Sequence, residues 1–271
     1  MNMDNTSDRS DTVYVSPGRS ANRNLPLVHL HAVESTNTTC MQALKSSTKP
    51  DVWSLIWTDQ QSAGRGRLGR SWSSEPGSSL CLSVGRRFAA DQLPAEGLSV
   101  AAGVAVLDAL AQLGVTACLK WPNDILLSGG KLGGILCESS STGVDSPLVL
   151  VVGVGINLKA VSTPPLATAL PVSSLADAGC HLSAQALAPV IATALVELLE
   201  VATQADALSA YIDRAARYDA WQGLPVQVMD AGLCLHTGVA LGLDPSGHYL
   251  IDTPDGPLCL RHGELSLRRL L

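Results

Sequence analysis

The feature that most constrains this chain is a change of rhythm near Gly223. Before it, apolar runs of strand length alternate with longer helical patterns. After it come short apolar stretches cut at tight spacing by Asp230-Ala231-Gly232, Asp244-Pro245-Ser246-Gly247 and Pro254-Asp255-Gly256, each a turn-forming cluster. Two periodicities in one chain call for two packed units. The expected organisation is a helix-and-strand domain at 26–222, then a small all-β domain, read as a barrel, at 223–271. Residues 1–25 are rich in Asn, Asp, Ser and Arg and are expected to form a disordered tail.

Within the first domain the patterning predicts strands at Leu27–Val33, Val52–Thr58, Ser79–Arg86, Thr116–Trp121, Ile125–Leu127, Lys131–Ser139 and Leu148–Leu158. Helices are expected at Ser35–Lys45 (capped by Ser35 or Thr36), Leu98–Leu113, Ser183–Val201 and Asp206–Trp221. Ser128-Gly129-Gly130 reads as a hairpin turn.

Of the 271 residues, 46% are hydrophobic and 15% charged, a globular balance. The net charge of −6, with no basic block, argues against a DNA- or RNA-binding protein. The seven cysteines are scattered singly and no signal peptide is visible, so a reducing cytoplasm is expected. No membrane span is expected: 147–158 is too short, and Ala184–Val201 carries Pro189, Glu197 and Glu200. His29 and His31 alternate along a strand without a third ligand, so no zinc site is expected.

Four blocks could carry chemistry. Gly64-Arg65-Gly66-Arg67-Leu68-Gly69 fits G-x-G-x-x-G formally, which raises an oxidoreductase reading. Yet a dinucleotide site needs a helix to open there, and Ser71–Ser79 cannot start one. What remains is a glycine-hinged loop carrying Arg65, Arg67 and Arg70, either a solvated turn or a phosphate clamp. Lys120-Trp121-Pro122-Asn123-Asp124 is a turn whose Asp124 could hold Mg²⁺ or order a lysine. Lys131 stands beside Gly133 and Gly134, where backbone can approach a ligand. Gly153-Val154-Gly155-Ile156-Asn157 ends an apolar strand and could equally be a β-bulge.

Taken together and in order, Ser35–Asn37, Gln61–Trp72, Lys120–Leu126, the KLGGIL block from Lys131, Gly153–Leu158 and Gly263–Arg268 resemble the biotin–protein ligase family. The resemblance implies a mixed sheet flanked by helices and a C-terminal Src-homology-3-like barrel. It implies ATP-dependent ligation of biotin, through biotinyl-5′-AMP, to a lysine of the biotin carboxyl carrier protein of acetyl-CoA carboxylase, with ATP, biotin and Mg²⁺ as ligands. By resemblance Ser35, Thr36, Asn37, Gln61, Gly64, Arg65, Gly134 and Gly153 line the biotin site. Lys131 sits between the biotin carboxylate and the α-phosphate, and Arg67 closes over the adenylate; both, with Asp124, are the catalytic candidates. Arg70, Trp72, Asn123, Asn157 and Arg268 fall on the nucleotide side, with Asp124 as the Mg²⁺ ligand. Many members carry an N-terminal DNA-binding domain. Too few residues precede Leu27 for one here, so no repressor function and no DNA partner are expected. A non-catalytic biotin-binding module is the competing reading, disfavoured because binding alone needs no phosphate-directed cations. Homodimerisation is left open by the sequence.

Overall fold

The computed structural model describes residues 12–16, 24–49, 51–90, 92, 96–141, 146–160, 170–230, 232–261 and 266–270. Eight strands form one sheet: β1 (Val13–Val15), β2 (Leu25–His29), β3 (Val52–Thr58), β4 (Ser79–Arg87), β5 (Cys118–Lys120), β6 (Asp124–Leu127), β7 (Gly130–Ser140) and β8 (Val149–Asn157). Their order is β1-β2-β3-β4-β8-β7-β6-β5, with only the β2–β3 pair parallel, so the sheet is mixed. Alternation divides its two faces. Leu80, Leu82, Val84, Val152, Val154 and Ile156 point into the main core under α2 (Leu98–Gln112) and α3 (Ala184–Val201). On the other face α1 (Thr36–Lys45) packs Cys40 and Leu44 against Ile56, Val149 and Val151.

Two expectations change, and a third stands on a different reason. Part of the expected tail is ordered: Val13–Val15 pairs antiparallel with β2, and Val15 is buried. A Val-Tyr-Val run is enough to extend a sheet edge; 1–11 and 17–23 lie outside the described residues. The last helix, α4 (Ala205–Ala215), stops short of Trp221. Beyond it the backbone is drawn to β5, where Leu119 N donates to Tyr218 O at 2.6 Å and Ala220 N to Leu119 O at 2.9 Å. Finally, α3 is long and apolar enough to cross a membrane despite its proline and two glutamates. Here it is a core helix, with Leu187, Ile191, Leu195, Leu198 and Leu199 buried.

The second sheet is antiparallel throughout, in the order β12-β11-β10-β9-β13. Its strands are β9 (Pro225–Asp230), β10 (Leu233–Leu243), β11 (Tyr249–Thr253), β12 (Gly256–Leu260) and β13 (Ser266–Arg269). Among the described residues no ladder joins β12 to β13, so the barrel expectation is met only as a separate all-β sheet. Hydrogen bonds fasten it to the preceding part of the chain, two of them from large aromatic side chains. Trp121 Nε1 donates to Gly247 O at 3.0 Å, and Tyr249 Oη to Asp219 Oδ1 at 3.0 Å.

Candidate active site

The site lies on the α1 face of the large sheet, where facing strands lose their side chains. One rung crosses β4, β8, β7 and β6 as Cys81, Gly155, Gly134 and Asp124. The next on that face is Ser83, Gly153 and Leu136. Antiparallel partners point the same way, so the glycines leave a trough. Its walls are tight. A Cβ at Gly153 would collide with the Asn37 amide, and one at Gly155 with the Trp72 ring. β8 runs through both glycines without a register shift, so the β-bulge alternative does not hold there.

The bulge is instead opposite Lys131. Along β7, simple alternation would put Lys131 on the core face with Gly133 and Ile135. The register slips at Leu132, so Lys131 pairs with Leu126 while Gly133 pairs with Ile125. Lys131 thereby shares a face with Asp124, above the trough. One extra residue re-aims the side chain.

Two networks hold the walls. At the N-terminus of α1 neither Ser35 nor Thr36 caps through its side chain, contrary to expectation. Gln61 does that work: its Oε1 accepts from Thr36 N at 2.7 Å and from Thr36 Oγ1 at 3.2 Å. Ser83 Oγ lies 2.8 Å from Thr36 Oγ1 and 2.6 Å from Asn37 Oδ1. Asn37 Nδ2 donates to Glu138 Oε2 at 2.8 Å, and Arg65 Nη2 donates to both Glu138 oxygens at 3.1 and 3.3 Å. The leading end of the glycine–arginine loop is thus tied to α1, directly by Gln61 and through Glu138 by Arg65.

The second network is charged. Asp124 Oδ1 accepts from Lys131 Nζ at 2.5 Å, and Asp124 Oδ2 from Lys120 Nζ at 3.0 Å. Burial alone would raise the Asp124 carboxyl, but the two ammoniums outweigh it and hold its pKa below the usual carboxylate range. Arg67 Nη1 donates to Asn123 Oδ1 at 2.9 Å, and Asn123 Nδ2 to Ile135 O at 2.7 Å. Burial lowers the Arg67 pKa, with Asp124 opposing. Trp72 faces the same space, its buried Nε1 without a protein partner among the described residues. The expectation that Asp124 holds Mg²⁺ does not fit this donor set. It is one carboxylate with both oxygens on ammoniums, whereas a resident Mg²⁺ needs oxygens free to complete an octahedron.

Of the expected site residues, Ser35, Thr36, Asn37, Gln61, Arg65, Arg67, Arg70, Trp72, Asn123, Asp124, Lys131, Gly134 and Gly153 line the trough. Three expected residues stand outside it. Gly64 lies behind the wall, where a Cβ would strike Trp72 O and Gln61 Nε2. Asn157 is buried and donates to Lys131 O at 3.2 Å and Ser173 O at 3.0 Å, bracing the backbone of Lys131. Arg268 sits in β13 opposite Gln227; Arg261 is the C-terminal arginine that reaches an adjoining cavity, beside Arg67. Sequence reading missed Glu138, Ser83 and Lys120. For Glu138 the available signal was a carboxylate interrupting the apolar Ile135-Leu136-Cys137 run.

No helix opens after Gly69, where the chain runs from a short turn at Arg67–Gly69 into β4, so the dinucleotide alternative has no structural basis. Residues 30–157 match the model of the biotin/lipoate A/B protein ligase family. A Paracoccus denitrificans biotin–[acetyl-CoA-carboxylase] ligase is 33% identical over 231 residues, 82% of this chain and 93% of that protein. The bifunctional ligase/repressor BirA of Escherichia coli is 30% identical over 240 residues, 88% of this chain and 73% of that protein. Among solved structures, the Aquifex aeolicus biotin protein ligase in complex with biotin and ATP has a TM-score of 0.72 at 26% identity, covering 90% of this chain and 99% of that one. Ordered motifs, a shared fold and near-full-length relatives agree: the chain belongs to the biotin/lipoate A/B protein ligase family, among its biotin–protein ligases.

Proposed function

We propose that the trough is where this ligase joins biotin to ATP and passes the biotinyl group to a lysine of a biotin carboxyl carrier protein. In the first step a biotin carboxylate oxygen attacks the α-phosphorus of ATP and pyrophosphate leaves, giving biotinyl-5′-AMP. In the second the carrier's ε-amine attacks the acyl carbon, the C–O bond to phosphate breaks, AMP leaves and the amine loses a proton. Both steps bring anions together, and fixed cations that need no reorganisation lower that barrier. The observation that carries the reading is the Lys120–Asp124–Lys131 cluster beside a glycine-floored trough. A pocket for an uncharged ureido ring alone has no use for two lysines and three arginines.

In this assignment the polar end formed by Ser35, Thr36, Asn37 and Gln61 takes the biotin ring, with Arg65 held beside it. Lys131 meets the carboxylate and α-phosphate. Arg67 and Arg70 close over the adenylate, which water would otherwise hydrolyse. Trp72 contributes its ring and its free N–H. Mg²⁺ arrives on the phosphates of ATP and is not a resident metal. Seven free thiols suit a reducing compartment such as the cytoplasm. The test is direct. With Mg²⁺, ATP and the folded chain, pyrophosphate release should depend on biotin, and labelled biotin should reach a carrier domain only when ATP is present. Failure of both, in folded protein, overturns the reading.

A further inference from the structure

We propose that Asp244, His248 and Cys259 form a Zn²⁺ site at the seam between the two sheets, with Glu96 as the outer partner of the imidazole. One ligand atom from each of the three lies within 4.8 Å of the others. They come from two places: Asp244 and His248 flank the β10–β11 turn, and Cys259 stands on β12 opposite Leu250.

The position of His248 is the starting point. Its Nδ1 lies 2.9 Å from Asp244 Oδ2 and its Nε2 3.4 Å from Glu96 Oε2. A neutral imidazole has one N–H, so between two carboxylates one nitrogen turns a lone pair toward negative charge. A cation on Nδ1 removes that conflict, and Nε2–H then donates to Glu96, the usual outer bond of a metal-bound histidine. Asp244 is already aimed. Its Oδ1 accepts from Ser246 N and His248 N, both at 2.9 Å, which leaves Oδ2 for a single metal bond. Nitrogen, oxygen and sulfur donors together suit Zn²⁺, with water as the fourth ligand, whereas Mg²⁺ and Ca²⁺ take oxygen throughout. Tetrahedral Zn²⁺ sets neighbouring donors about 3.3–3.7 Å apart, given Zn–N and Zn–S bonds of about 2.0–2.3 Å. The Asp–His pair is close to that, and the exposed Cys259 has only to rotate. Binding releases the thiol proton. The ion would fix the turn whose Gly247 carbonyl holds Trp121, and through Glu96 the start of α2.

Chelator-stripped full-length chain, without ATP or biotin, is titrated with Co²⁺ and read by thiolate-to-cobalt charge-transfer absorption, followed by displacement with Zn²⁺. The expected result is one equivalent bound with a thiolate band that Zn²⁺ abolishes. Cys259→Ser, at an exposed position, should lose the band. Glu96→Gln should weaken binding about tenfold. Cys234→Ser, an exposed thiol elsewhere on the same sheet, should change nothing. A wild-type chain that gives no band overturns the proposal. A band that survives Cys259→Ser overturns it as well, by placing the metal on another thiol.

Discussion

Asp124 and Asp219 lie near the same edge of the large sheet, and their surroundings push them in opposite directions. Asp124, in the trough, sits between Lys120 and Lys131 and is held ionised. Asp219, at the seam, receives Trp221 N at 2.9 Å and Tyr249 Oη at 3.0 Å on one oxygen, while its other oxygen is buried with no direct hydrogen bond among the described residues. Burial raises its pKa, and those hydrogen bonds only partly oppose the rise. The difference separates a carboxylate used for its charge from one used for its shape. At Asp124 the charge orders two cations that a reaction needs, whereas at Asp219 it is a liability accepted for two hydrogen bonds across a joint.

The strongest way to break this comparison is at the trough. Lys131→Ala removes a cation aimed at the reacting anions, and biotin-dependent pyrophosphate release should fall about 10²–10³-fold. Near-normal release would show that Lys131 only balances Asp124. Asp124→Ala leaves two ammoniums facing each other and should cost about 2–3 kcal/mol in denaturant unfolding. That lies below the value for a fully buried pair because Lys131 is one-third exposed.

A smaller effect is expected at the other end of the trough. Glu138→Ala frees Arg65 and leaves the buried Asn37 amide short of an acceptor. A loss of about 1–2 kcal/mol should raise the KM for biotin roughly tenfold, with kcat much less affected, because the group never meets the phosphate. A fall in kcat alone would contradict that placement.

The smallest effect carries a sign. A carboxyl whose folded pKa is raised weakens folding as pH climbs through that pKa, since the native state binds the extra proton. Asp219→Asn should therefore gain on the wild type between about pH 4, near the unperturbed aspartate value, and neutrality, by no more than about 1 kcal/mol. Asp124→Asn should behave oppositely. Its lost contribution is present at neutrality and vanishes as pH falls through the depressed pKa, so the variant's deficit shrinks toward acid. Parallel pH profiles for the two variants would erase the distinction.

The sequence revealed the strands and the glycine positions because both follow local rules. Val52–Thr58 forms over its expected span, and Ser128 and Gly129 adopt the positive φ angles of 50° and 81° that a tight hairpin requires. Ordered motifs also located most of the trough. What stayed hidden depends on contacts between distant segments. Nothing local distinguishes Gln61 as the cap of α1, 25 residues away. The slip at Leu132 that carries Lys131 to the working face is a property of pairing with β6, not of the KLGG string. Arg268 lies in a motif block yet does not line the trough, because its position is set by the pairing of β13 with β9. Val13–Val15 was too short to stand out from its polar neighbours.

The bond from Trp121 to Gly247 makes the second sheet a splint for the first. The Lys120–Asp124 segment that organises the charged end of the trough leans on a turn contributed by a chain segment more than a hundred residues later. Dividing the polypeptide near Gly223 would therefore give two fragments of unequal competence. The longer would keep every trough-lining side chain and yet lose the prop beneath its lysines, so activity would return only on reassembly. That dependence is what a split reporter requires.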